Sequence, residues 1–527
     1  CELAWPDMDR YIQSAPWLAW VKALPTELVR GRPVLLANYA WALLDIGELE
    51  AAEIELQAVE VYLDNIKDSD EKHRDKVIVD EEQFQRLPVT ISAARAYLAQ
   101  TRGEFPAAIK FSQQTLSLLA EEDHMHRLET SIMLGLTYFA SGDIDAAYQR
   151  FSEGLAGLRK TGSSDHSIGG IFVLADIRTL QGRLRDAVNL YEQSLHWVAG
   201  KEPFPQGTAY IYLGLSKLHS EWGNTQIASQ HLQRSEIINN ETPLQLCRYR
   251  LALAQARICE QQGDMDEALC LLDTAEQLFY RNVVPETRSV APLKARIWIA
   301  QNRLNEANTW IQERELSIDD ELSFLCEFEH VTLLRLLIAQ YRKNKRDKTI
   351  TEAIKFADRL YQAAENGGRG GSLIEIIILQ ALAEEAQGDR GAALVLLENA
   401  LTLAEPESYV RIFVDEGPVM VQLLSELTVV GKMSVYARRI LAAFEPEKGN
   451  HQNENSVPSG APTVEPLSKR ELEVLQLIAQ GFSNQEISER LFLAVSSVKG
   501  HNQKIFSKLQ VQRRTEAVAR AHELALL

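Results

Sequence analysis

Along most of the chain, apolar residues recur every three or four positions in runs separated by short polar breaks, as amphipathic helices require. The runs come in pairs: "SIMLGLTYFAS" (131–141) is followed by "AAYQRFSEGLAGL" (146–158). Between the two members stands a Gly, then a polar or charged residue, with Ala five positions after the Gly. The pattern reads "GELEAA" from Gly47, "GEFPAA" from Gly103, "GDIDAA" from Gly142 and "GRLRDA" from Gly182. It continues as "GNTQIA" from Gly223, "GDMDEA" from Gly263, "NRLNEA" from Asn302 and "GDRGAA" from Gly388. A degenerate copy, "KTITEA", puts Lys348 in the Gly slot and Ala353 in phase. Successive starts are 56, 39, 40, 41, 40, 39, 46 and 40 residues apart, a regularity that marks an internal repeat.

Each part of the pattern has a physical job. Gly suits a left-handed residue that ends the first helix, and Asn at 302 is the best substitute there. Ala belongs where the second helix must approach the first closely. One helix pair cannot bury its own apolar stripe, so the pairs are expected to stack into a superhelix. The period exceeds that of a 34-residue tetratricopeptide unit, which predicts tetratricopeptide-like pairs with longer helices. The fold class is therefore all-α, with a helical-repeat domain over residues 1–444.

The pattern changes after that. Residues 445–466, with Pro446, Pro458, Pro462, Pro466, Gly449 and Gly460, lack apolar periodicity and read as a flexible linker. Residues 467–527 then carry four short helical stretches. Ser468 with Glu471 forms a capping box, Leu472, Leu475, Ile478 and Ala479 share one face, and Gly481 ends the first helix. Ser483 and Glu486 repeat the device for the second, with Ile487 and Leu491 facing inward. The third runs from about Val495 to Leu509 and turns Val498, His501 or Asn502, Ile505 and Leu509 inward. The fourth starts near Arg514.

Two short helices joined by a turn, with a polar free face on the later one, fit a helix-turn-helix. On that face Lys499, Gly500, Gln503 and Lys504 are the candidate base-facing residues. Gln503 can pair with adenine, the lysines can reach guanine acceptors or phosphate, and Gly500 allows close approach of the helix backbone. Ser483, Asn484, Gln485, Ser496, Ser497 and Lys508 are candidates for holding phosphates.

Charge sharpens this picture. The chain carries −18, yet residues 467–527 hold nine Lys/Arg against six Glu; that local +3 leaves −21 on residues 1–466. An acidic body repels polyanions, so a nucleic-acid contact must come from the tail. The other candidates carry less. Five scattered cysteines, none in a C-x-x-C pair, read as buried reduced thiols rather than a disulfide or metal framework. His124-x-His126 is too sparse for a metal site. "GGRGG" (367–371) lacks the G-x-x-x-x-G-K-[ST] arrangement of a phosphate loop and reads as an inter-helix loop. The Trp-rich start (Trp5, Trp17, Trp20, Trp41) reads as core. No apolar run reaches the ~18 residues of a membrane span, and no nucleophile–base or metal cluster points to an enzyme. Cys rather than Met at position 1 leads us to expect a piece of a longer chain.

The pieces "RELEVL", "GFSNQEI", "SVKGH", "KL" and "RTEAV" together resemble the LuxR-type DNA-binding domain. The resemblance implies that the third helix enters the major groove and that the fourth makes a dimer contact, through Ala517, Ala521 and Leu524. Two positions depart from it. Ala494 stands where Ser is usual, which costs the helix start roughly 1 kcal/mol, and Ser497 stands where Thr is usual. Upstream, "SYVRIFVDEGPVMVQLLSEL" (408–427) and "YARRILAAFEPE" (436–447) resemble large ATP-binding LuxR-type regulators like the maltose-regulon activator. That implies a cytoplasmic transcription regulator, an activator, whose repeats sense an effector or regulatory protein. It further implies double-stranded DNA and RNA polymerase as partners and self-association on activation. ATP is expected in an N-terminal module outside this chain, with no cofactor within it. The alternative is a repeat scaffold whose small terminal domain binds protein.

Overall fold

The structure is a computed structural model. It describes residues 1–5, 14–68, 78–160, 164–198, 207–241, 244–279, 285–345, 347–430 and 434–444. In the C-terminal part it describes 474–475, 477–479, 482–491, 498–499, 502, 504–506, 508, 511 and 513–523. The chain divides into two compact units, Cys1–Pro446 and Glu447–Leu527. The linker expected at 445–466 lies outside the described residues. Among the described residues there are helices and turns but no strand.

The first unit is a series of helical hairpins. Successive pairs are Pro33–Asp45 with Leu49–Asp68, Glu81–Arg102 with Phe105–Leu118, His124–Ser141 with Ile144–Lys160, and Ser164–Leu180 with Leu184–Val198. Then come Thr208–Glu221 with Thr225–Glu241, Gln245–Gln262 with Met265–Leu278, and Val290–Ala300 with Leu304–Glu313. Glu327–Asn344 with Asp347–Asn366 and Gly370–Gln387 with Arg390–Ala404 complete the series.

The repeat pattern does in space what its chemistry requires. Gly47, Gly103, Gly142, Gly182, Gly223, Gly263 and Gly388 have φ between 76° and 103°, and Asn302 has φ 58°. Each closes its first helix with the paired hydrogen bonds of a Schellman motif. At Gly142, for example, Gly142 N–H donates to Phe139 O at 3.1 Å and Asp143 N–H donates to Tyr138 O at 3.1 Å. The polar residue after the Gly then starts the next helix: Asp143, Asp264 and Asp389 accept from the backbone N–H three residues on. The phased alanines, Ala52, Ala108, Ala147, Ala187, Ala228, Ala268, Ala307 and Ala393, are all fully buried.

One copy differs. Lys348 lies inside the helix Asp347–Asn366, and the left-handed residue is Lys345, at φ 50°. Lys345 donates from its backbone to Tyr341 O, four residues back, at 2.7 Å. Ala353 is still fully buried, one turn beyond the buried Ile350.

The path of pairs returns on itself. The hairpin turns at Gly142, Gly182 and Gly223 lie against Phe324, Gly370 and Val410, which follow them by 182, 188 and 187 residues. A continuous apolar core runs through this closed stretch from Leu136 to Ile440. The Trp-rich start is core at Trp5 and Trp17, whereas Trp20 is half exposed. Of the cysteines only Cys247 is buried; Cys1 and Cys270 are exposed, contrary to the expectation of uniformly buried thiols. In "GGRGG" residues 367–369 form the loop between two helices and Gly370 and Gly371 open the helix Gly370–Gln387, correcting the reading of the whole stretch as a loop. Arg369 is buried against Glu327 at 2.7 Å. His126 bonds to Asp123 at 2.6 Å.

Candidate functional site

In the C-terminal unit, Val474, Leu475, Ile478, Ile487, Val498, Ile505, Ala517 and Ala521 form one small core. The second helix is Asn484–Leu491 and the last is Arg514–Glu523. Helical residues between 498 and 508 form the third. With Val498 and Ile505 buried and Asn502 nearly so, the third helix has its inward face settled: the polar member is Asn502. Lys499 and Lys504 are exposed. Gly500, Gln503, Ser496 and Ser497 lie outside the described residues. Ser483 and Gln485 are exposed, while Asn484 and Lys508 are half-buried.

The dimer assignment needs correction. Ala517 and Ala521 are fully buried in the unit's own core, so their small size lets the last helix pack against its neighbours, and these two side chains present nothing to a second copy. Leu524 lies outside the described residues. A cation the sequence reading passed over is Arg513. Its backbone N–H donates to Glu516 Oε2 at 3.1 Å, which caps the last helix, and its side chain is 81 % exposed. The doublet Arg513-Arg514 was the available signal, since one of two adjacent residues at a helix start usually faces out.

The superhelix holds a second set of functional candidates. Charged residues on the first helices of the pairs meet inside it. Asp176 accepts from Lys217 at 3.2 Å and from Arg250 at 2.9 Å. Glu375 accepts from Arg296 at 2.6 Å and from Arg335 at 2.8 Å, and Arg335 reaches Glu416 at 2.7 Å. The two guanidiniums hold the Glu375 carboxyl far below its ordinary range against its burial. Burial pulls Arg296 down to about 10. Arg296 also lies over the Phe328 ring, 3.8 Å from its centre, and its Nη2 is buried with no partner.

The segment 405–417 closes this interior. Val410 N–H donates to Glu221 O at 3.2 Å and Ile412 N–H donates to Glu221 Oε1 at 2.9 Å. Trp222 Nε1 donates to Glu407 O at 2.9 Å, and Arg257 pairs with Asp415. Burial, only partly offset by Arg257, pushes the Glu221 carboxyl up to about 7. This charged ladder was missed from sequence, although it has a repeat signature: Asp176, Lys217, Arg257 and Arg296 each stand six residues before the turn residue of their pair.

Residues 90–429 match the family described as MalT-like TPR region. The chain belongs to that family. Its MalT-like TPR region begins within the helix Glu81–Arg102 and takes in every later hairpin, the charged interior and the closing segment. Residues 465–521 match a second family, bacterial regulatory proteins of the luxR family, which spans all the candidate base- and phosphate-facing residues. Over 96 % of its length the chain is 23 % identical to the HTH-type transcriptional regulator MalT of Serratia proteamaculans. It is 23 % identical over 95 % to the same-named regulator of Yersinia pestis. The chain spans about half the length of these curated relatives, 55 % of each. Among solved structures, a Rap protein complexed with competence and sporulation factor aligns with 71 % of this chain and 98 % of its own, at 12 % identity and TM-score 0.45. The apo quorum sensor NprR of B. thuringiensis aligns with 76 % of this chain and 96 % of its own, at 14 % identity and TM-score 0.40.

Proposed function

We propose that the chain is the sensing and DNA-binding part of a transcription regulator. The observation that carries this reading is the third helix of the C-terminal unit. Val498, Asn502 and Ile505 are turned into the core, and Lys499 and Lys504 are exposed. That is the arrangement a major-groove helix needs, within a stretch that matches the luxR family. Ser483, Asn484 and Gln485 at the start of the second helix supply phosphate contacts, and Gln503 reads a base. The superhelix takes up an effector or regulatory protein and the closed interior reports it. ATP is the cofactor this reading expects of the regulator, and this chain has no phosphate-loop sequence to hold it. RNA polymerase and further copies of the regulator are the remaining partners, and the setting is the cytoplasm. No described helix is long and apolar enough to cross a membrane.

A salt titration of duplex binding tests the reading. Binding of a preferred duplex should weaken linearly on a log–log plot, and Lys499→Ala or Lys504→Ala should flatten the slope by roughly 0.9 per lost phosphate contact. Gln503→Ala should cost about 1–3 kcal/mol on the preferred site and relax one base position. Salt-independent association with protein partners and none with DNA would favour the scaffold alternative.

A further inference from the structure

Arg514 is one of nine cations in the tail, and the simple expectation is that it meets a phosphate. Its contacts say otherwise. It stands at the first position of the last helix and is half-buried, whereas its neighbour Arg513 is exposed. Its Nη2 donates to the backbone oxygen of Phe482, just before the second helix. Its Nη1 donates to Asn484 Oδ1 at 3.3 Å. The same oxygen accepts from Asn502 Nδ2, on the inward face of the third helix, at 2.8 Å.

A guanidinium offers only donors, so the atom of Asn484 that faces it must be the carbonyl oxygen. The Asn484 amide orientation is thereby fixed, and Asn502 must present its own NH2 to the same oxygen. Three elements are pinned at one atom: the last helix through Arg514, the start of the second through Phe482 and Asn484, and the third through Asn502. Asn502 is buried and its Oδ1 has no partner, so among the described residues the bond to Asn484 is the side-chain hydrogen bond that ties Asn502 to the second helix.

We infer that Arg514 is a positioning residue for DNA recognition: through Asn484 and Asn502 it sets the third helix against the start of the second, and it does not itself neutralise a phosphate. This rests on reading the C-terminal unit as a DNA binder. A lysine keeps the charge but offers one tetrahedral ammonium, which cannot span Phe482 O and Asn484 Oδ1 as the planar fork does.

The test is duplex binding by the full chain across a salt series, for the native protein, Arg514→Lys and Arg514→Gln. Both variants should lose about tenfold or more in affinity for the preferred duplex, with the salt slope unchanged. If Arg514→Lys binds like the native chain and Arg514→Gln lowers the slope by about one contact, Arg514 is a phosphate ligand and the inference is wrong. No change in either variant also overturns it. Thermal stability of Asn484→Asp and Asn484→Ala provides a check that does not need Arg514 to be altered. Asp can still accept both bonds and should melt near the native temperature, whereas Ala should melt clearly lower; equal melting of the two refutes the shared acceptor. If the native chain binds no duplex at any salt, the reading of the unit falls and this inference with it. If the native chain binds and only the variants behave differently from expectation, the inference alone falls.

Discussion

Glu221→Gln tests the closing contact of the superhelix through its pH dependence. Glu221 ends the helix Thr208–Glu221, and its Oε1 accepts from Ile412 N–H at 2.9 Å. Glutamine can offer a carbonyl oxygen to the same N–H, so the substitution removes the charge and keeps the bond. Burial raises the native carboxyl from 4.5 to about 7. A carboxyl raised in the folded state binds its proton more tightly there than in the unfolded chain. Its stabilising contribution is therefore complete below pH 4.5 and is lost as pH climbs through 7. At about 1.4 kcal/mol per pH unit, that interval is worth about 3 kcal/mol. Glu221 keeps some exposure to water, which makes this an upper bound. The expected result is that Glu221→Gln unfolds in urea much like the native chain at pH 5 and more stably at pH 8, by up to about 3 kcal/mol. Comparing the two proteins at each pH cancels the other titrating groups, including Glu375, whose depressed carboxyl works in the opposite direction. Far-UV circular dichroism follows the whole superhelix, and fluorescence of Trp222, bonded to Glu407 O in the same contact, contributes a local signal. An offset between the two proteins that is the same at pH 5 and pH 8 would refute the argument, because a neutral carboxyl at low pH is its foundation.

Other outcomes follow from the same geometry. Gly263→Ala should cost about 1–2 kcal/mol, because the added Cβ meets nothing within 4 Å and only the φ of 85° is penalised. Gly142→Ala should cost distinctly more in a denaturant titration, since at a similar φ of 86° its Cβ would sit 2.7 Å from Phe324 Cβ. Equal costs would mean that the Gly142 turn and Phe324 do not touch in solution. Arg335→Ala strands Glu416, leaves Glu375 with Arg296 alone, and should destabilise by about 3–5 kcal/mol. Arg303→Ala, which breaks an exposed pair with Glu306, should change stability by less than about 1 kcal/mol in the same urea titration.

What could be read in the sequence was whatever is decided within one hairpin. A left-handed closing residue and a helix-starting Asp interact with backbone three to five residues away, so Gly142 and Asp143 announce their roles by type and spacing alone. Even the Asn at 302 follows, since its side chain tolerates the same conformation. Where the type failed, the position failed too. No Gly or Asn marks the turn at Lys345, and the eye settles on Lys348, which sits in phase with Ala353 but is already helical. In the C-terminal unit, the inward positions Val498 and Ile505 were legible for the same local reason, whereas the choice between His501 and Asn502 was not, since adjacent positions at the stripe's edge fit the period equally well. Small residues at 517 and 521 were ambiguous, because Ala serves a helix that packs closely against its own domain as well as one that packs against a second copy. Only the packing of the whole unit separates the two.

The closing contacts are of another kind. Arg257 meets Asp415 across 158 residues, and Val410 meets Glu221 across 189. No local periodicity encodes such a meeting; it depends on how many pairs make one turn of the superhelix. The repeat nevertheless leaves a trace of it. A stripe of charged residues six positions before successive turns would be ruinous on a helix face buried in hydrocarbon. Of the four such residues, Asp176 pairs with Lys217 on the neighbouring hairpin, whereas Arg257 and Arg296 meet opposite charge farther along the chain. Asp415 supplies it to Arg257, and Glu375 supplies it to Arg296. The pairs of Glu375 with Arg296 and Arg335, and of Glu416 with Arg335, are largely buried, whereas Asp415 is exposed. Buried pairs contribute little net stability against well-packed apolar groups, but leaving one partner unpaired costs several kcal/mol, which penalises a mismatched register. The interior of this superhelix is thus selective about how its turns align, and the segment carrying Asp415 and Glu416 is the piece whose placement that selectivity decides.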